Sequence, residues 1–447
     1  MANLPKGHPK LLNAWAFYDW ANSVYSLVIA SAVFPIFYEL IFKESGRNYV
    51  TLFGMQCKDT AMISFVTAFA FLIVAIFSPI LSGIADYVGN KKSFLRFFCY
   101  MGAVSCIGLY WFTLDNLFIS YTLYFFGLIG FWSSLVFYNS YLPDIAFPDQ
   151  QDRVSARGFS MGYIGSTLLL ILNLAMVMFP KTFGIDGAEE AMRISFVSVG
   201  LWWIGFSHIT YYYLPKGNHN KQPITKAVVM NGFQELRKVW KQLQENLALK
   251  RYLYSYFVFI MAVQTVMLVA TYFGSTEITW RNPDDPALQG MDKIFQVEET
   301  GLIICILLIQ LVAVLGAFIT SRASGKFGNI KTLLFLNAFW AVLCVFAYFM
   351  KVPNDFYIMA GLVGLVMGGI QSLARSTYSK LLPETEDTAS FFSFYDVTEK
   401  IGIVIGMSIY GIIDQVTGSM RNSIVFLGAF FVIGFFLLLR VPKKALS

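Results

Sequence analysis

Long apolar runs alternate with short polar connections along the whole chain. Twelve runs reach the length of about 20 residues that crosses roughly 30 Å of hydrocarbon as a helix. They lie at 14–41, 60–84, 95–114, 117–141, 158–180, 192–214, 252–273, 299–321, 330–350, 355–380, 389–413 and 421–439. A transmembrane barrel needs alternating segments of about ten residues, and that pattern is absent. The predicted class is an all-α membrane protein with twelve transmembrane helices. One stretch has a different rhythm. Val229, Phe233, Leu236, Trp240, Leu243 and Leu247 are spaced 4, 3, 4, 3 and 4 apart, with Lys and Gln between them. That spacing predicts an amphipathic helix lying on the inner leaflet.

Composition sharpens this picture. Hydrophobic residues make up 57% of the chain and charged residues only 13%, about half the charge of a soluble domain. If both termini share one side, 22 basic residues fall on that side and nine on the other. The bias places the termini in the cytoplasm of a cell (inner or plasma) membrane. Segment 215–251 has eight basic and two acidic residues, a surplus equal to the net charge of +6. The positive balance therefore points to a membrane surface rather than to nucleic acid. An acid inside the first apolar run argues against a cleaved signal peptide. The five cysteines have no metal-type spacing and imply no disulfide framework.

The chain also repeats itself. "YNSYLPD" at 138–144 and "YSKLLPE" at 378–384 share Tyr, Leu, Pro and an acid at an offset of 240. "GNKK" at 89–92 parallels "GNIK" at 328–331 at an offset of 239. Two distant matches at nearly one shift predict a duplicated six-helix unit in parallel pseudo-repeat. The expected divisions are a six-helix bundle over 1–214, a basic amphipathic linker over 215–251 and a second bundle over 252–447.

"SGIADYVGNKKSFL" at 82–95 resembles the loop signature of the major facilitator superfamily through Gly83, Asp86, Gly89, Lys91 and Lys92. The resemblance implies that Asp86 latches the inner face. The second half keeps Gly328 and Lys331 but has Gly325 where that acid would stand. Three more stretches narrow the match: "AWAFYDWANSVYSLVIASAVFP" near the start, "YNSYLPDIAFPDQQDRVSARGFSMGYIG" at 138–165 and "GGIQSLARSTYSKLLPETEDTASFFSFYDVTEKIG" at 368–402. Together they resemble the vacuolar effluxer-like family. That resemblance implies the major facilitator fold and export of small solutes, amino acids in the fungal case.

Candidate chemistry lies in charges inside apolar runs, which cost about 2.5–3.5 kcal/mol each to insert. Asp19, Asn22, Ser23, Ser26 and Ala30 share one face of the first run. Such a stripe must face other helices or water. Arg375 lies in the tenth run with Gln371 and Ser379 four residues to either side, and Asp396, Glu399 and Lys400 lie in the eleventh. Three roles remain open: an Asp19–Arg375 gate, contact with a solute, and proton carriage by Asp19 or Glu399. Asp396 and Lys400 could equally pair along their own helix. Tyr18 flanks the Asp19 face and Asn139 could line a cavity, although core packing and helix–helix hydrogen bonds explain both as well.

Enzyme readings find little support. "GFSMG" at 158–162 opens a membrane helix, whereas a nucleophile elbow needs a preceding strand. No phosphate-binding loop is present, and the histidines have no partner at a metal or triad spacing. The expectation is a monomeric secondary transporter, with no cofactor and no enzymatic activity, that moves a small polar solute with or without coupled protons. The alternative is a transporter-shaped receptor or scaffold signalling through the linker.

Overall fold

The computed structural model describes residues 4–47, 49–52, 55–216, 226–282, 285, 288 and 295–442. Part of the expected linker, 217–225, lies outside the described residues, as does the side chain of Val229. Among the described residues, ten helices are long and apolar enough to cross a membrane: Pro9–Ser45, Ala61–Val88, Lys91–Trp111, Leu117–Ile145, Pro148–Met178, Leu247–Glu277, Thr300–Phe327, Asn329–Phe349, Pro353–Leu381 and Met420–Leu438. Ala188–Tyr213 and Thr388–Thr417, of 26 and 30 residues, take the sixth and eleventh places. Each has length enough to span but includes several charged residues, which lower its mean hydropathy. Numbered in chain order, these are the twelve spans.

The fifth span begins ten residues earlier than hydropathy predicts, at Pro148. Its first turns, "PDQQDRVSAR", are too polar for lipid, yet Gln151, Asp152 and Ser155 are buried in protein. The first loop contains a feature that the apolar pattern does not predict, an antiparallel hairpin of Tyr49–Leu52 with Met55–Lys58.

The first span is not one regular helix. Pro9–Val24 is α-helical, Tyr25–Ala32 is wound as a π-helix, and Val33–Ser45 resumes the α form. Pro35 supplies a cause, since it has no N–H for the carbonyl of Ser31 and its ring crowds that carbonyl. Ser31 Oγ then donates to the Ser26 carbonyl at 2.8 Å and Ser26 Oγ to the Ser23 carbonyl at 3.0 Å.

Packing divides the chain into two compact units. The first comprises Met1–Phe147, Met161–Val239 and Thr385–Phe394. Within it the first span packs on the sixth, the second on the fourth, and the third on the fourth and sixth. Small residues set the distances: a Cβ added to Gly130 would lie 2.4 Å from Gly102 Cα. The linker helix, Lys226–Glu245, belongs to this unit up to Val239. Of the predicted stripe, Phe233 and Trp240 are exposed, Leu236 is half-buried and Leu243 is buried, and a neighbouring face of the helix, with Gly232 and Val239, is buried against protein. A Cβ on Gly83 would lie 2.4 Å from the Gly232 carbonyl oxygen, so this helix crosses the end of the second span at glycine-to-glycine distance. Lys238 pairs with Glu235 and with Asp387, and the Asp387 carboxylate holds its ammonium above the usual range.

The second unit comprises Pro148–Ser160, Trp240–Glu384 and Tyr395–Ser447. Its helices pair in the same pattern: seventh with twelfth, eighth with tenth, and ninth with tenth and twelfth. The Gly-rich "GLVGLVMGG" run allows the closest approach. A Cβ would lie 2.6 Å from the Ile309 carbonyl oxygen at Gly364, and 2.2 Å from that of Ala313 at Gly368. Opposite them, a Cβ on Gly316 would lie 1.9 Å from the Leu365 carbonyl oxygen. Matching pairings in the two units are the structural form of the parallel repeat.

Candidate functional site

In the first unit, Asp19 is buried within the first span. Tyr138 of the fourth span donates its hydroxyl to Asp19 Oδ2 at 2.9 Å. That tyrosine is itself fixed. Its ring stacks on Trp15 at 4.5 Å and packs on Tyr18 at 4.8 Å, and its carbonyl accepts the Trp15 indole N–H at 2.9 Å. Tyr18 is fully buried among Tyr138 and Tyr211, so its ring belongs to the aromatic core of the bundle. Asn22 is buried one turn beyond Asp19, and Ser23 Oγ donates to its Oδ1 at 3.4 Å. Gly162 of the fifth span covers this face, since a Cβ there would lie 2.4 Å from Ser23 Oγ. Asn139, beside Tyr138, is half-buried.

The predicted latch residues also fall in this unit. Gly89 ends the second span with φ +67°, a left-handed conformation that favours glycine. Asp86 meets the start of the eleventh span, accepting the Ser390 N–H at 2.7 Å and the Ala389 N–H at 3.2 Å. A carboxylate at that position satisfies two helix-terminal donors and complements the positive end of the helix dipole. Lys91 pairs with Asp144 at the end of the fourth span, and Thr388 Oγ1 bonds to both. Lys92 does not join them. It turns the other way and donates to the Leu214 carbonyl at 2.8 Å.

In the second unit Arg375 is buried in the tenth span. Its Nε donates to Ser155 Oγ at 2.9 Å, its Nη2 donates to the Ser155 carbonyl at 3.0 Å, and its guanidinium lies 4.2 Å from the Phe159 ring centre. Ser155 Oγ in turn donates to the Ser372 carbonyl at 2.7 Å. Gln371, half-buried, is one turn before Arg375. In the eleventh span Lys400 pairs with Asp396 at 2.9 Å and approaches Glu399 at 3.8 Å. Gln264 of the seventh span donates to Glu399 Oε1. Two carboxylates thus share one ammonium.

A further polar network was not singled out from sequence. Asp152 accepts Ser324 Oγ at 2.8 Å, Asn329 Nδ2 at 2.9 Å and Lys380 Nζ at 2.7 Å. Asn329 Nδ2 also donates to Thr377 Oγ1. Gly325 stands where the first half has its latch acid, and here a carboxylate comes from the opening turns of the fifth span. The signal was present in the "PDQQDR" run, but charges beyond the apolar core read as solvated loop.

The family model described as vacuole effluxer Atg22 like matches residues 7–445. An uncharacterized MFS-type transporter of Bacillus subtilis strain 168, YxiO, is 32% identical over 98% of this chain and 96% of its own length. Autophagy-related protein 22-1 of Phaeosphaeria nodorum strain SN15 is 22% identical over 94% of this chain and 88% of its own. Among solved structures, the E. coli fucose:proton symporter FucP superposes with a TM-score of 0.67 at 12% identity, covering 97% of this chain and 98% of that one. A bacterial homologue of the iron transporter ferroportin, in an outward-facing state, gives 0.63 at 13% identity, covering 97% and 98%. The fold is that of the major facilitator superfamily, with two six-helix halves.

Proposed function

Because the chain belongs to the vacuole effluxer Atg22-like family of major facilitator transporters, we propose that it exports a small polar solute by alternating access, with amino acids as the first class to test. The halves that act are 1–214 and 252–447, joined by the linker over 215–251. Both termini face the cytoplasm of a cell membrane, and the protein works as a monomer without enzymatic chemistry. The observation that carries this reading is a pair of buried, positioned charges, the Asp19 carboxylate on Tyr138 and the Arg375 guanidinium on Ser155 and Phe159. A charge held this way in the hydrocarbon region is costly to keep and marks a pathway. Each charge is a separate reason to test amino acids, since a carboxylate suits an ammonium and a guanidinium fork suits a carboxylate. Asp19 and Arg375 are assigned to solute contact or gating, with Asn22, Asn139 and Gln371 beside them. The excess carboxylate among Asp396, Glu399 and Lys400 supports a proton as the coupled ion.

Proteoliposomes loaded with labelled amino acids test this. Wild-type protein releases at least one class of amino acid. Asp19→Asn and Arg375→Gln each slow release by about ten- to a hundredfold, as expected when a hydrogen bond to a charged group worth about 1.5–3 kcal/mol is lost. Unchanged flux in the double variant overturns the site, and no flux of any amino acid in wild type overturns the substrate class.

A further inference from the structure

The basic residues of the latch signature divide. Lys91 faces Asp144, while Lys92 joins a cluster of its own sign. Lys92 feels the charges of Arg96, one turn further along the third span, and of Lys216, just beyond the sixth. Among the described residues none of the three pairs with a carboxylate. Lys92 is buried with its ammonium on the Leu214 carbonyl, whereas Arg96 and Lys216 are exposed. The Arg96 guanidinium lies 5.7 Å from the ring centre of Tyr100 and 5.9 Å from that of Tyr211. His208, exposed on the sixth span, shares a hydrogen bond of 3.1 Å with the Tyr100 hydroxyl.

Two features make this arrangement costly without an anion. Lys92 and Arg96 lie in the first two turns of a helix starting at Lys91, the positive end of its dipole, where cations are disfavoured. Three cations also gather with no counter-charge at the end of a membrane bundle. The surrounding surface is apolar: Phe97 is 61% and Tyr212 55% exposed. A soluble anion would meet only the charges. A phospholipid would meet both the charges and this apolar flank, with its phosphate at the cations and its chains along Phe97. Basic pockets between helices at the membrane surface suit anionic headgroups.

We infer that Lys92, Arg96 and Lys216, backed by Tyr100, Tyr211 and His208, form a binding site for the headgroup of an anionic phospholipid on the outer flank of the third and sixth spans.

The test is native mass spectrometry of the full-length protein in neutral detergent, titrated with phosphatidylglycerol, phosphatidylcholine or inorganic phosphate. Wild-type protein retains phosphatidylglycerol over phosphatidylcholine by at least about tenfold. Arg96→Gln with Lys216→Gln reduces that preference by about thirtyfold or to none, the loss expected for two basic groups at a membrane surface. Arg237→Gln with Lys241→Gln, which removes the same charge from the linker helix, leaves it intact. Equal retention of the two lipids by wild type overturns the site. An equal loss in the linker variant does so too, by reducing the effect to net charge. Inorganic phosphate competing as well as the lipid overturns the lipid assignment. Should the Arg96/Lys216 variant misfold, Lys216→Gln alone reads the same preference with a smaller loss.

Discussion

Tyr138 shows how a single side chain holds a buried carboxylate in place. Its hydroxyl is a donor to a buried carboxylate, and its ring is clamped by Trp15 and Tyr18. Tyr138→Phe keeps the ring and removes the donor. A loss of about 1–3 kcal/mol is expected, read as a lower thermal midpoint in detergent. Asp19→Asn retains a carbonyl oxygen for the same hydroxyl, so its midpoint should stay near that of wild type while its flux falls. Arg375→Lys is not conservative, because a lysine lacks the planar fork whose Nε and Nη2 donate to Ser155 Oγ and the Ser155 carbonyl while the guanidinium lies over Phe159. Flux in that variant should fall nearly as far as in Arg375→Gln. Asp19 and Arg375 were legible in the sequence because a charge within an apolar run stands out. Ser155 and Asp152 were not, since a serine in a helix carries no signal and an acid six residues outside the apolar core reads as solvated. Their importance comes from the helix extending beyond the hydrocarbon into protein.

Whole helices approach as closely as their smallest residues allow. The contact between the eighth and tenth spans depends on Gly316, Gly364 and Gly368, where an added Cβ would strike backbone carbonyls that cannot yield. Gly316→Ala and Gly368→Ala should therefore each destabilise the protein by about 1–3 kcal/mol, visible as earlier thermal unfolding. Gly205 and Gly361 have no atom within 4 Å of an added Cβ, so alanine there should leave the midpoint unchanged or raise it, given its better helix propensity. The Gly-rich run was readable as a close-packing seam. The two-faced linker helix was not, because a 4-3-4 spacing identifies an apolar stripe without saying whether lipid or protein covers it. Gly232, which lets that helix reach Gly83, breaks the apolar spacing and so was invisible to it.

The duplicated architecture was the most legible feature of the whole molecule. The offset of 240 that aligns the tyrosine–proline–acid segments also aligns Pro148 with Thr388, the first residues of the fifth and eleventh spans. Among the twelve spans, these are the two that divide between the packing units. Topology at this scale follows from charge bias and is directly testable. Cys57, in the hairpin of the first loop, should react with a membrane-impermeant maleimide in intact cells. Lys241→Cys in the linker helix, in a Cys57→Ser background, should react only after permeabilisation. Labelling in the opposite order would invert the orientation.

The wide winding at Tyr25–Ala32 has a mechanical consequence. Each residue of an α-helix turns the chain by about 100°, so passing one surplus residue through this stretch would swing all that follows about the helix axis. The segment before it is held by the Tyr138 and Trp15 contacts, and the portion after Ala32 is held in turn by Phe34 and Phe37 on Phe112 and Phe196 and by the Tyr38 hydroxyl on Tyr121. Any such swing would have to carry that aromatic cluster with it, so this stretch couples the carboxylate end of the first span to the packing near the hairpin.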